Sequence, residues 1–62
     1  MKAYELTYLQ RYQGASKTTV TEITAGFVES EAEAVAFKKA AKGNSYHEVN
    51  LDPEDAWMLS GY

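Results

Sequence analysis

Both ends of one short helix are written into the side chains of residues 30–43, and this segment constrains the fold more than any other. Ser30 and Glu33 stand at capping-box spacing. A serine oxygen there accepts from the amide three residues on, and the glutamate can reach back. Gly43, followed by Asn44, occupies the place of a left-handed residue just past a helix end. Glu29, Glu31 and Glu33 crowd the start while Lys38, Lys39 and Lys42 crowd the end, the order the helix dipole favours. Ala34, Phe37 and Ala41 fall on one stripe at helical spacing, with Val35 beside them. A face made mostly of alanine lets the helix axis come close to a sheet, with Phe37 as its main projection.

The residues before the helix supply a hairpin. Over residues 2–13, Tyr4, Leu6 and Tyr8 alternate with Glu5 and Thr7, the period of a half-buried strand, and Tyr12 returns to the Tyr4 face. Gln13-Gly14-Ala15-Ser16-Lys17 has the composition of a hairpin loop. Residues 18–28 form a second strand rich in β-branched side chains. Ile23, Ala25 and Phe27 share one parity and Val20 the other, which predicts a bulge or twist near Glu22.

After the helix, residues 46–51 read as a short third strand, with His47, Val49 and Leu51 on one face and Tyr46, Glu48 and Asn50 on the other. Asp52-Pro53-Glu54-Asp55 is a second helix start, with an Asp cap, Pro at the first helical position and acids in the first turn. It continues for one or two turns before Gly61; a short terminal strand over residues 57–62 is the competing reading. The expected fold is α+β, a single domain over residues 1–62. A small antiparallel ββαβ sheet carries the main helix on one face, with a short C-terminal helix after it.

A 62-residue chain buries only about 60% of the surface its unfolded form exposes. Without cysteine it has neither disulfide nor thiolate metal site, so packing must hold it, with self-association as a further source of stability. Nine acidic residues against six basic ones give a net charge of −3. That argues against direct nucleic-acid binding through phosphate neutralisation, which needs clustered Lys and Arg. No apolar run approaches the roughly 20 residues that span a bilayer. The polar–apolar alternation at the N-terminus is unlike a signal peptide. The expectation is a soluble cytoplasmic protein with no membrane contact.

The inventory of reactive groups is thin. There is one histidine, His47, and no two-histidine or Cys–His spacing for a metal. Ser16, Ser45 and Ser60 have no neighbouring partner that marks a nucleophile, and Ser30 is accounted for as a cap. The run from Gly14 to Thr19 glances at a phosphate-binding loop but lacks its Gly-Lys-Ser/Thr core and lies between two strands. No catalytic residue, cofactor or metal is therefore assigned, and the chain is expected not to be an enzyme. Glu48, Asp52, Glu54 and Asp55 form a denser acidic group, although capping and dipole effects account for the last three without a ligand.

Five Tyr, two Phe and one Trp exceed what a small sheet with one helix can hide. Phe27, Phe37 and one of Tyr4 or Tyr8 are assigned to the core; Tyr12, Tyr46, Trp57 and Tyr62 are expected to be partly exposed, where aromatic rings anchor interfaces. Trp57 has a second reading, folded back to close the uncovered end of the core. Acids beside exposed rings suit a basic groove, with charge steering the approach and the rings supplying affinity. The expected partner-binding residues are Glu48, Asp52, Glu54, Asp55, Tyr46 and Trp57.

The whole layout, with an opening Met1-Lys2-Ala3-Tyr4 strand, a hairpin, the Ser30-Glu31-Ala32-Glu33-Ala34 helix start and a short closing segment, resembles the small acidic proteins of phages and mobile elements. These include RNA-polymerase inhibitors and anti-CRISPR proteins. The resemblance implies inhibition by blocking a basic, nucleic-acid-binding site of a host protein or ribonucleoprotein complex such as a CRISPR effector. Glu48, Asp52, Glu54 and Asp55 would then serve as nucleic-acid mimics. The segment from Gly26 into the helix is also similar to part of HicB-type antitoxin domains. The alternative expectation is accordingly a self-associating regulatory or structural subunit, pairing by its edge strands or its uncovered sheet face; a monomer suits the first reading and a homodimer the second.

Overall fold

Strand β1 (Lys2–Gln13) returns through residues 14–17 as β2 (Thr18–Val28) in a computed structural model that describes residues 1–59 of the chain. Helix α1 (Glu31–Ala40) follows, then β3 (Ser45–Asn50) and a 3-10 helix (Pro53–Leu59). The sheet order is β2-β1-β3 with both pairings antiparallel. The two flanking strands therefore run parallel to each other, and α1 is the crossover that joins them. The architecture is the α+β arrangement expected from the sequence: a three-stranded antiparallel sheet, one main helix and a short C-terminal helical turn.

Pairing register sorts the side chains onto two faces. Tyr4 stands opposite Val28 and Glu48, and Leu6 opposite Gly26 and Tyr46. This Tyr4 face meets α1. Tyr4, Leu6, Val28 and Ala34 form the buried cluster, with Ala25, Phe37 and Tyr46 packed around it. Leu6 is the only large side chain of the described residues that is completely enclosed. The opposite, Glu5 face holds Ala3, Phe27 and Val49. Ala3 points away from α1 and is nevertheless fully buried. The 3-10 helix packs against β2. Reaching β2 from the end of β3 takes it across β1, which closes this side at Ala3.

A β-bulge lies between Leu6 and Thr7 of β1, opposite Gly26 and Thr24, so that Ala25 is the extra residue. The parity of β2 changes there and not near Glu22. Ile23 consequently lies beside Tyr8 on the Tyr4 face, whereas Phe27 lies beside Glu5 on the other. Beyond the bulge the hairpin runs out of cover. Twelve residues of β1 span about 40 Å at 3.3 Å each, and the molecule is 44 Å long but only 16 Å thick. β3 pairs with residues 2–7 alone. Tyr8, Leu9, Tyr12 and Val20 are consequently 37–53% exposed. Of the two tyrosines offered for the core, Tyr4 is the one that enters it, since Tyr8 lies past the reach of a helix about 15 Å long.

The start of α1 follows its sequence signals. Ser30 is extended at the cap and its oxygen accepts from Glu33 N–H at 3.5 Å, while Glu31 and Glu33 occupy the first turn. The end does not. The helix stops at Ala40, Ala41 is extended (φ −153°, ψ 147°), and Lys42 and Gly43 lie in the turn that follows. Gly43 is indeed at positive φ (+104°), but it serves the entry into β3 and not the helix cap. A Cβ there would sit 3.5 Å from the Leu9 side chain. The open helix end is closed instead by Asn44, whose Nδ2 donates to the Phe37 carbonyl at 2.9 Å and whose amide donates to Ala41. The stop at Gly61 and the terminal-strand alternative both involve residues beyond the described ones.

Two stability predictions follow from this packing. Leu6→Ala should cost about 2–5 kcal/mol, enough to abolish the cooperative urea transition in a domain of this size. Asn44→Ala should cost about 1 kcal/mol, the worth of a hydrogen bond closing a helix end, read as a lower urea midpoint at unchanged slope.

Candidate functional site

The six residues singled out from the sequence do not share one surface. Glu48 projects from β3 on the Tyr4 face, where its Oε2 lies 3.6 Å from the Lys2 ammonium, both side chains being largely exposed. Glu48 holds the Lys2 pKa above its ordinary value of 10.5. The contribution of that raised group is complete below 10.5 and is lost only as pH rises through the higher folded value, so it does not vary near neutrality. Screening at so exposed a pair keeps it small. Lys2, Glu48, Val49 and Asn50 line a shallow groove of ≈350 Å³ along β3.

Tyr46 belongs to the packing around the core. Its ring meets Tyr4 edge-on, with centroids 5.8 Å apart and planes at 79°, and the Lys38 ammonium lies 6.0 Å from its centroid. Half-buried and engaged on both sides, it offers a partner little free area.

The other four residues travel together at the 3-10 helix. Pro53 fixes the first turn and the Asp55 amide donates to the Asp52 carbonyl at 2.9 Å. Asp52 and Glu54 are exposed, and Asp55 is half-buried. None of the three has an ion-pair partner among the described residues. Trp57, 73% exposed, is the most exposed large apolar side chain among them. The indole stands out from a segment whose neighbours Ala56, Met58 and Leu59 are half-buried. The core-closing role offered for Trp57 does not fit that exposure. Among the described residues no three His, Asp or Glu side chains converge to hold a metal ion.

A second polar group, missed in the sequence, lies on the Glu5 face. Glu22 Oε2 receives the Thr7 hydroxyl at 3.4 Å and lies 3.9 Å from His47 Nε2. Beside them Thr24 donates to Glu5 Oε2 at 2.6 Å. These residues come from three strands, and only the register beyond the bulge brings them together. Pairing period-two positions across β1 and β3 would have found Glu5 opposite His47, but not Glu22. The arrangement puts a carboxylate, not an imidazole, next to the Thr7 hydroxyl, so it lacks the order of a nucleophile–base–orienter relay. Its chemistry is that of a hydrogen-bonded polar belt.

The fold is that of a small α+β domain with a projecting hairpin, and no helix among its described residues is long and apolar enough to cross a membrane. Compared with models of known families, with characterised proteins and with solved structures, the chain matches none.

The exposure of Trp57, the one tryptophan of the chain, has a direct optical consequence. Its emission should lie near that of free indole in water and should be quenched by acrylamide almost as readily as in the urea-unfolded chain. Trp57→Ala should leave stability within about 0.5 kcal/mol.

Proposed function

We propose that the protein is a non-enzymatic binding module that docks its acidic 3-10 end on a basic surface of a larger protein or ribonucleoprotein complex. One observation carries this reading: Trp57 stands exposed on a short turn whose Asp52, Glu54 and Asp55 have no ion-pair partner among the described residues. An exposed indole on a proline-started turn costs little entropy to immobilise, and the surrounding acids steer it to positive potential. Glu48, already partnered by Lys2, is a weaker contributor. In keeping with the mobile-element inhibitors that the layout resembles, the basic surface would be one that otherwise takes nucleic acid, and occupation would block it. The chain acts in this reading as an inhibitor, in the cytoplasm of a host cell.

The test compares capture from host lysate by the wild-type chain, by E48K/D52K/E54K/D55K and by Trp57→Ala, each verified as folded by circular dichroism. A specific partner should be captured at low salt, released by raised salt and displaced by added nucleic acid. Trp57→Ala should weaken its binding by about 2 kcal/mol, roughly 30-fold. The acid reversals should remove most of the salt-dependent part. Capture that survives all four reversals at low salt would overturn the electrostatic basis of the reading.

A further inference from the structure

The longest run of unpaired backbone among the described residues is the outer edge of β2. Gly14 N–H donates to the Lys17 carbonyl at 2.8 Å, which fixes the phase of the hairpin ladder. In an antiparallel pair, bonded and non-bonded positions alternate. Tyr12 with Thr19, Gln10 with Thr21 and Tyr8 with Ile23 are therefore the bonded pairs. The N–H and C=O groups of Thr18, Val20, Glu22 and Thr24 accordingly point away from β1.

Nothing in the sequence blocks this edge. Residues 18–24 read Thr-Thr-Val-Thr-Glu-Ile-Thr, with six β-branched side chains and a single charge. Natural sheets protect an open edge with Lys, Pro, bulges or short strands, and this stretch has none of them. The two competing edges are protected. β3 is six residues long, carries His47 and Glu48, and is soon followed by Pro53. The free side of β1 is narrowed by Gly43, which lies against Leu9.

We infer that this edge pairs with a second copy of the chain, β2 antiparallel to the partner's β2, with Thr21 opposite the partner's Thr21. The register follows from charge and overlap. Centring the two-fold on Glu22 would set two carboxylates directly opposite, which is destabilising. Centring it on Val20 shortens the overlap to residues 18–22. Centred on Thr21, residues 18–24 pair along their whole length and exchange about eight backbone hydrogen bonds.

Side chains on both faces support that centre. Val20 then lies opposite the partner's Glu22, and Arg11, which pairs with Val20, stands in the same row. Two strand spacings separate Arg11 from the partner's Glu22, about 10 Å between Cα atoms, a span that an extended arginine and a glutamate bridge over one valine. Arg11 has no ion pair among the described residues, and the contacts of Glu22 there use only Oε2. The two-fold axis makes the contact twice. On the other face Tyr8 and Ile23 form one row with the partner's Thr19 and the partner's Tyr12. This complementarity of charge and backbone on a single edge is what names a second copy as the occupant. The pairing also turns a two-stranded arm, marginal by itself, into a four-stranded one.

Sedimentation of the full chain across the micromolar range, with amide hydrogen exchange on the same samples, tests the inference. The wild type should sediment as a dimer, with the Val20 and Glu22 amides protected as well as those of Thr19 and Thr21. Val20→Pro removes only an outward N–H, a position where an edge strand tolerates proline, and should give a folded monomer. Glu22→Arg should weaken the dimer at least tenfold, and adding Arg11→Glu should restore it. A wild type that stays monomeric over the range overturns the proposal. So does a dimer whose Val20 and Glu22 amides exchange freely, because its interface then lies elsewhere; that readout holds even should Val20→Pro fail to fold.

Discussion

Everything in this fold depends on the short stretch of β1 that is covered on both sides. Among the described residues, 4–7 are the part of the sheet with strands on both edges, and Ala3 adjoins them; α1 lies over one face and the 3-10 helix near the other. Burial is concentrated there: Ala3, Tyr4, Leu6 and Thr7 of β1, with Val28 and Ala34 brought to them. Each covering element owes its position to this strand. Main-chain bonding between Met1 and Leu51, with the terminal ammonium on the Asn50 side chain and the Leu51 carbonyl, ties the chain start to the end of β3. The 3-10 helix is thereby launched from the correct corner. Small residues at the contacts, Ala3 on the sheet and Ala34 on the buried side of α1, let the helical segments approach the sheet closely.

The order of elements and the facing of most positions could be read from the chain because each rests on local chemistry. Period-two alternation identified Tyr4 and Leu6 as one face, and the third strand's faces were legible for the same reason. Ser30 marked its helix start because a cap acts within one turn. What escaped was set by contacts distant in sequence. The bulge at Ala25 answers to the packing around Leu6, and alternation within β2 alone cannot locate it. The end of α1 is decided by Asn44 reaching back to the Phe37 carbonyl. A glycine at the expected spacing was therefore a true signal of positive φ at the wrong element.

The surface residues divide in the same way. Asp52, Glu54, Asp55 and Trp57 are neighbours in the chain and stay together in the fold, because one proline-started turn carries them. Glu48 and Tyr46 lie only a few residues away, yet the strand between alternates them with Val49 and His47 and commits Tyr46 to the Tyr4 ring. Proximity in sequence predicts a common surface within a turn, and fails across a strand. The belt of Thr7, Glu22 and His47 shows the converse, a group gathered from three strands with no local trace in the sequence.

Apart from Met1, the large apolar side chains exposed among the described residues fall into two sets, and geometry separates their roles. Tyr8, Leu9, Tyr12 and Val20 lie along the hairpin arm, whereas Trp57 sits on the 3-10 helix at the covered end. A chain with so small a core gains nothing for its own folding by leaving these five groups in water. The arm positions flank the open edge of β2, and the Trp57 position sits among acids with no ion-pair partner among the described residues. Paired as proposed, two copies would join by their arms and carry their Trp57 ends on opposite sides of the two-fold axis. Such a dimer presents the docking turn twice from one rigid sheet. A target with two basic sites at matching separation would then be held far more tightly than one site allows, since the second contact forms at high effective concentration. A target with a single site would gain only the affinity of one turn. On this geometry the arm sets valency and the acidic turn sets the kind of surface recognised.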